Sequence, residues 1–178
     1  RTIETSGWTC GHELGRQYIN NVLRNSVTTS FIENVPEDTD GAYLYIKELA
    51  EKGNNVIFTT SPVFRKATLK CSIEYPQIRF FNCSDDTPYK HMSCYFGRTY
   101  EPRFLTGLIA GAMSKTNIIG YSATSPTCEV IGSINAFALG AKIVNPYSKI
   151  KVAWTREWNS HVKFSDVESK LLNEGCDI

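Results

Sequence analysis

Hydrophobic and polar positions along the chain follow two different periods. Short runs rich in β-branched and aromatic residues, such as Val56–Thr59, predict buried strands. Longer stretches with apolar residues three or four positions apart predict amphipathic helices. In the stretch 39–52, Ile46 and Ala50 share one apolar stripe, and Gly53 follows where a helix normally ends. Strands and helices in alternation are typical of parallel βαβ units, so the pattern predicts an α/β fold.

The two periods divide the whole chain into candidate elements. Helices are predicted at 12–24, 39–52, 61–75, 102–113 and 128–144, and a last helix is expected to open with a capping box formed by Ser165 and Glu168. Strands are predicted at 28–32, 56–59, 78–81, 94–96, 117–121 and 150–154, and residues 176–178 are expected to begin another.

Two glycines lie four residues apart in the predicted helix 102–113. Gly107 and Gly111 each lower helix propensity by about 1 kcal/mol, so they need a compensating reason. We expect close packing of this helix against a sheet or a second helix.

Composition and charge narrow the classes of partner. The chain has 178 residues and is 42% hydrophobic, which is enough for a real core, and 19 Lys and Arg nearly balance 18 Asp and Glu. No basic stripe or acidic block suggests binding to nucleic acid or to a membrane surface. The expected partner is therefore a small molecule or another protein.

The cysteines bear on metal binding and on the cellular compartment. Six are scattered along the chain without metal-ligand spacing, so we predict no metal and no cofactor. Buried thiols are the favoured interpretation, although Cys83 and Cys94 could pair across neighbouring strands. This usage favours a reducing compartment or an anaerobic source. No apolar run reaches about 18 residues and the first residues have no signal-peptide core, so we expect that any targeting segment has been removed or never existed.

The loops that follow the predicted strands are the places to look for a ligand site, because ligands of open parallel sheets bind beyond the carboxyl ends of the strands. These loops, at 60–62, 82–85, 122–127 and 155–160, are rich in Ser, Thr, Asn and Trp, which favour binding over acid–base chemistry. Trp8 and Trp158 lie in loop-like contexts, where each ring could stack on a planar ligand or pack into a hinge or core. Trp154, inside a strand, is expected in the core.

Catalysis is poorly supported. Cys10 and His12 are two residues apart on a predicted helix and would not face each other, and Asp85 and Asp86 fit a solvated loop. Phosphate-binding, dinucleotide-binding and nucleophile-elbow motifs are absent. The sequence therefore predicts a binding protein and not an enzyme, with no catalytic residues.

Several short motifs follow one another in a fixed order along the chain. They are SGWT at 6–9, HELGR at 12–16, NVIFTTS at 55–61, YEPRFL at 100–105, IGY at 119–121, INAF at 134–137, LGA at 139–141, VNP at 144–146 and GCDI at 175–178. Together they resemble the basic membrane protein family of ABC-importer substrate-binding proteins. The resemblance covers nearly the whole chain. It implies a type I periplasmic-binding-protein fold, with parallel sheets flanked by helices on both faces and two lobes that close on a ligand.

The resemblance also implies which residues bind the ligand, which in several members is a purine nucleoside. It assigns the opening loop to Gly7, Trp8 and Thr9, a ring that sandwiches the ligand to Trp158, and a polar contact after the fourth strand to Asn82. Ser61 and Ser125 fall on loops that line the cleft. We expect a nucleoside or a similar planar solute to be held between Trp8 and Trp158.

The expected domain organisation is a first lobe at 1–115 and a truncated second lobe at 116–178. The family's first strand is expected to be missing or reduced to residues 1–5. Two functions fit: a solute receptor that works with an ABC permease, and a cytosolic ligand-sensing domain of a larger regulatory protein. The family's usual role places such a receptor outside the cytoplasm as an anchored lipoprotein, whereas the cysteines favour the cytoplasm.

Overall fold

The structure, a computed structural model, describes residues 2–84, 87–158 and 161–178, without the side chains of 161 and 162. The helices are α1 (Gly7–Leu23), α2 (Thr39–Glu51), α3 (Arg65–Glu74), α4 (Tyr100–Met113), α5 (Cys128–Val144) and α6 (His161–Asn173), with short 3₁₀ helices at Arg24–Ser26 and Pro62–Phe64. The strands are β1 (Val56–Thr59), β2 (Arg79–Cys83), β3 (Met92–Tyr95), β4 (Ile118–Ala123) and β5 (Lys149–Trp154). The alternation of helices and strands confirms the predicted α/β class.

The chain divides into two compact units, Arg1–Phe96 and Gly97–Ile178. This division falls before α4, whereas the sequence predicts a boundary after Lys115. The difference has a physical reason, because α4 packs on α5 of the second unit. A Cβ atom on Gly107 would overlap the carbonyl oxygen of Phe137, so the two helix backbones touch here. The glycines in α4 therefore serve contact with a second helix, one of the two alternatives that the sequence left open.

In the first unit, β1, β2 and β3 form a parallel sheet in that order. Ile57, Phe80 and Met92 lie in register on one face and are buried against α2 and α3. The opposite face carries Phe58, Phe81 and Tyr95. Tyr95 contacts the ring of His12 in α1 at 6.3 Å between centroids, so helices contact both faces of this sheet.

In the second unit, β4 and β5 pair in parallel. Ile119 packs with α4 and α5 on one face, whereas Ile118 packs with α6 on the other. The segment that follows α6 runs beside β4, because Gly120 N donates to Ile178 O at 2.8 Å and Asp177 N donates to Ile118 O at 3.2 Å. Residues 176–178 are not assigned as a strand, so the strand expected to begin there is present only as a segment hydrogen-bonded to β4.

Several expectations about single elements are wrong. Residues 28–32 do not form a strand. Side chains hold this segment instead, because Arg16 donates to Thr29 Oγ1 at 2.8 Å and its guanidinium lies 4.9 Å from the Phe31 ring centroid. Helix α6 begins at His161, so Ser165 lies inside it and does not cap it.

The disulfide that the sequence left open does not fit the sheet. Cys83 is in register with Tyr95, and Cys94 is in register with Asn82. Since neighbouring positions in a strand point to opposite faces, the two thiols lie on different sides of the sheet. Cys71 and Cys176 are buried free thiols, as expected, and burial raises the pKa of Cys71 to about 12.

Candidate functional site

The first turn of α1 carries three of the predicted site residues. Gly7, Trp8 and Thr9 were expected in a loop but form the start of the helix, because Ser6 acts as its N-cap. The Ser6 side chain accepts a hydrogen bond from Thr9 N at 3.3 Å. The backbone N–H groups of Gly7 and Trp8 have no carbonyl partner within the helix and form the partly positive end of its dipole. This turn therefore presents donors suited to a polar ligand atom.

The Trp8 indole is fixed at its nitrogen and open on its ring. Nε1 donates to Thr60 O at 2.6 Å, a contact across 52 residues of sequence. The side chain is still 48% exposed. A ring that is held in one plane with accessible surface is suited to stacking on a flat ligand.

Other aromatic rings surround Trp8. His12 lies 5.1 Å away between ring centroids, and Phe96, which directly follows β3, lies 6.1 Å away at an interplanar angle of 31°. His12 Nδ1 is 2.9 Å from Trp8 O and donates to it, because a carbonyl oxygen only accepts. An open cavity of about 260 Å³ is lined by Gly7, Trp8, Gly11 and His12.

His12 and Phe96 were not among the residues predicted to bind the ligand. Two features of the sequence could have identified them. His12 is one helical turn after Trp8 and so lies on the same face of α1, and Phe96 is an aromatic residue at the carboxyl end of a strand.

Asn82 lies within β2 and not in the loop after it, and it is fully buried. Its Nδ2 donates to Thr59 Oγ1 at 2.8 Å and to Ser61 O at 2.9 Å. The Thr59 hydroxyl lies 2.9 Å from the Thr68 hydroxyl, which donates to Phe64 O at 2.8 Å. A buried chain of hydrogen bonds thus ties β2 to the loop that carries Ser61.

Three ionisable groups close to this site, Tyr95, Glu13 and Arg16, have shifted pKa values. Burial raises the pKa of Tyr95, so its hydroxyl keeps its proton at physiological pH. On α1, Arg16 hydrogen-bonds Glu13 and lowers the pKa of that carboxyl to about 2. The two charges satisfy each other at 2.6 Å. The rings and amides near Trp8 are suited to binding and not to proton transfer.

The remaining predicted residues belong to the second unit. Ser125 lies between β4 and α5, and Thr127 N donates to its carbonyl at 2.8 Å. Trp158 follows β5 and is 48% exposed. The predicted loop residues Asp85, Asp86, Asn159 and Ser160 lie outside the described residues. Gly7, Trp8, Thr9, Ser61 and Asn82 are therefore the predicted residues that the first unit brings to one end of its sheet.

A larger cavity of about 430 Å³ lies in the second unit, between α4 and β4. Its lining is mostly apolar and includes Ile109, Met113 and Tyr121, with Arg103 at its margin. None of the predicted site residues lines it. The smaller cavity at Trp8 is the better candidate, because it lies where donors, rings and strand ends meet.

Two other features, a metal site and a membrane-spanning helix, are absent from the part of the chain that the structure describes. Within residues 2–84, 87–158 and 161–178, no cluster of three or more His, Cys, Asp or Glu side chains could hold a metal ion. In the same described residues, no helix has the length and apolar character needed to cross a bilayer.

Two curated proteins are similar to this chain in sequence over most of its length. A purine-binding protein of Brucella abortus is 39% identical over 172 residues, and a protein of Haloferax volcanii, provisionally named as an ABC transporter glucose-binding protein, is 33% identical over 173 residues. Each alignment covers 97% of this chain but only 49% and 43% of the two relatives, so the chain spans about half the length of each.

A solved structure shows the shared fold. The transcriptional activator of the comK gene from Bacillus halodurans matches with a TM-score of 0.77 at 24% identity, over 97% of this chain and 59% of that chain. A model of the Bmp family, described as ABC transporter substrate-binding protein PnrA-like, matches residues 1–178. The resemblance seen in the motifs is therefore confirmed, and the chain belongs to the basic membrane protein family of PnrA-like ABC transporter substrate-binding proteins.

Proposed function

We propose that this chain is the ligand-binding part of a solute receptor and that its ligand is a purine nucleoside or nucleobase. The observation that carries the proposal is the Trp8 ring, which is anchored at Thr60 O and yet remains about half exposed, at 48%. A purine presents a flat face for stacking and ring nitrogens for hydrogen bonds. The purine-binding relative from Brucella supports the same ligand class.

Each predicted residue has a role in this proposal. Trp8 stacks on the base, a contact that contributes about 1–3 kcal/mol per base in nucleic-acid complexes. The free N–H groups of Gly7 and Trp8 donate to a base acceptor. Thr9 contributes its hydroxyl, since its N–H is engaged by Ser6. Ser61 adds a hydroxyl at the carboxyl end of β1.

Ser125 and Trp158 of the second unit remain predicted contacts with the same ligand, with the Trp158 ring as a second stacking surface. Asn82 remains a predicted site residue, but because it is fully buried its proposed role is to hold the loop that carries Ser61 and not to contact the ligand.

We assign no catalytic role to the site. His12 is the only histidine among its described residues, and its Nδ1 is held by the Trp8 carbonyl. Cys10 is two residues away on α1, so its thiol points to a different side of the helix. The pair therefore lacks the geometry of a nucleophile and its base.

The proposed protein partner is an ABC permease, as for other substrate-binding proteins. The second candidate is a ligand-sensing role, favoured by the fold shared with the transcriptional activator from Bacillus halodurans. Ligand uptake by vesicles that contain the permease supports the receptor role. Ligand-dependent transcription without uptake supports the sensing role.

A thermal-shift screen of the full-length protein tests the ligand class. Purine nucleosides, purine bases, pyrimidine nucleosides and glucose are compared at the same concentrations. A ligand at about 100 times its Kd adds roughly 2.7 kcal/mol of stability, which raises Tm visibly. We expect a purine compound to raise Tm most. A shift with glucose and none with any purine contradicts the proposal and favours the ligand named for the relative from Haloferax.

A further inference from the structure

The buried amide of Asn82 is connected to Trp8 through two neighbouring peptide groups. Asn82 Nδ2 donates to Ser61 O at 2.9 Å, and Trp8 Nε1 donates to Thr60 O at 2.6 Å. Thr60 and Ser61 are adjacent in the loop between β1 and α3. Ser61 O also accepts from Phe64 N at 3.2 Å, so Asn82 ties to the core a carbonyl that already closes a local turn. Trp8 binds the neighbouring carbonyl from the ligand side.

The orientation of the amide follows from the hydrogen bonds alone. Phe64 O only accepts, so the Thr68 hydroxyl donates its proton there. The Thr59 hydroxyl donates either to Thr68 Oγ1 at 2.9 Å or to Phe81 O at 3.4 Å, and in both cases its oxygen is left to accept. Thr59 in turn accepts from Asn82 Nδ2. Ser61 O, which also only accepts, takes the second Nδ2 proton. Both amide protons are thereby committed, and the amide cannot be flipped.

Asn82 is too deeply buried to reach a ligand from this position, because none of its surface is exposed. Its Oδ1 has no hydrogen-bond partner among the described residues. An aspartate at this position would place a carboxylate oxygen against the Ser61 carbonyl, where the two negative ends repel. Asn82 therefore acts through the N–H groups of its amide, one of which donates to the Ser61 carbonyl in the loop after β1.

We propose that Asn82 is a positioning residue: its amide holds the Thr60–Ser61 loop so that the Thr60 carbonyl fixes the plane of the Trp8 indole for ligand stacking. The consequence for binding rests on the function proposed above, whereas the consequence for Trp8 does not. A preorganised ring loses less freedom when a ligand binds, so a loosened ring binds more weakly.

The test uses the full-length, ¹⁵N-labelled protein and the solvent-exchange rate of its indole Nε1–H protons. The Trp8 signal is assigned by its loss in Trp8→Phe, and the signals of Trp154 and Trp158 serve as internal controls. Asn82→Leu has nearly the same shape and removes both donors together with the unpaired Oδ1. Ser61 O keeps Phe64 N and the Thr59 hydroxyl keeps Thr68 as partners, so neither acceptor is left wholly unpaired and the fold should tolerate the change. We expect the Trp8 indole proton to exchange about tenfold faster while the other two signals stay unchanged.

A second variant adds a pH profile that a general loss of packing would not show. Asn82→Asp should loosen Trp8 at neutral pH and restore its protection as pH falls, because a protonated carboxyl can again donate to Ser61 O. Thr68→Val is the matched control. It cuts the far end of the hydrogen-bond chain but leaves the bond from Asn82 to Ser61, so Trp8 should exchange as in the wild type.

The inference is overturned if Trp8 exchanges at the wild-type rate in Asn82→Leu, or if Thr68→Val loosens it equally. Should Asn82→Leu fail to fold, the pH profile of Asn82→Asp decides, and a profile without recovery overturns the inference.

Binding is then measured by titration with inosine. Asn82→Leu alone should raise Kd about tenfold above the wild-type value. Combined with Trp8→Phe, it should raise Kd no further than Trp8→Phe does alone. If the wild type binds no purine, the proposed function fails, while the indole exchange still decides the role of Asn82.

Discussion

In two separate parts of this chain, one polar side chain holds the local backbone by accepting hydrogen bonds from it. Ser6 does so at the start of α1, where its cap decides that Trp8 lies in a helix and not in a loop. Asp177 does so in the second unit. Its carboxylate accepts from Ser114 Oγ at 2.7 Å, from Lys115 N at 2.6 Å and from Thr116 N at 2.9 Å. The segment that leads into β4 is thereby tied to the segment that follows α6.

These hydrogen bonds predict how stability depends on pH. The Ser114 hydroxyl and the two backbone donors lower the pKa of Asp177 below its ordinary value of 3.8. A carboxyl whose pKa is lowered by folding stabilises the fold above its unfolded pKa and loses that effect as pH falls through its folded pKa. Asp177→Asn should therefore have a lower Tm than the wild type at neutral pH, and the gap should close progressively below pH 3.8.

Thermal unfolding across this range provides the measurement, with Asp166→Asn, an exposed carboxylate in α6, as the control. A gap of equal size at neutral pH and far below pH 3.8 contradicts the account.

At the scale of elements, the second unit depends on the close approach of α4 and α5. A Cβ atom on Gly140 of α5 would overlap the carbonyl oxygen of Phe104 and lie 3.0 Å from Leu108 N. A Cβ on Gly111 would lie 2.5 Å from Ala141 O. The contacting atoms are backbone and cannot move aside as a flexible side chain would. Glycine is thus required on both helices by the distance between their axes.

Gly140→Ala should destabilise the protein by about 1–3 kcal/mol, because the cost of overpacking exceeds the gain in helix propensity. Gly132 offers a matched control in the same helix, since a Cβ there meets nothing within 4 Å. Gly132→Ala should be neutral or stabilising by up to about 1 kcal/mol. Urea unfolding measures both variants, and equal effects at the two positions would show that the helices are not in close contact at Gly140.

At the scale of the whole molecule, periodicity predicted the order and type of most elements. Helix α5 was predicted at 128–144 and spans Cys128–Val144, and the strands in both sheets were placed within a few residues. These elements were predictable because the buried face of a helix or strand places apolar residues at a regular spacing along the sequence. The segment 28–32 shows the limit. Its β-branched composition favours a strand, but a strand needs a neighbour to pair with, and contacts with Arg16 hold this segment instead.

The candidate site was predicted only in part for the same reason. The family motifs identified Trp8 and Asn82, but what each side chain does depends on partners far away in sequence. Trp8 is anchored 52 residues away and Asn82 donates across 21 and 23 residues. Such contacts leave no periodic trace. The roles of Trp8 and Asn82 in binding therefore stay predictions, and the structure adds the hydrogen bond that holds the Trp8 ring in place.

Calorimetric titration of a purine nucleoside into the full-length wild type, Trp8→Ala and Tyr18→Ala tests the central claim most directly. Tyr18 is a matched control, an exposed aromatic residue farther along α1. The account predicts that the wild type binds, that Tyr18→Ala binds equally well, and that Trp8→Ala loses about 1–3 kcal/mol of binding free energy. Equal affinity in the wild type and Trp8→Ala, or no binding of any purine to the wild type, would contradict it.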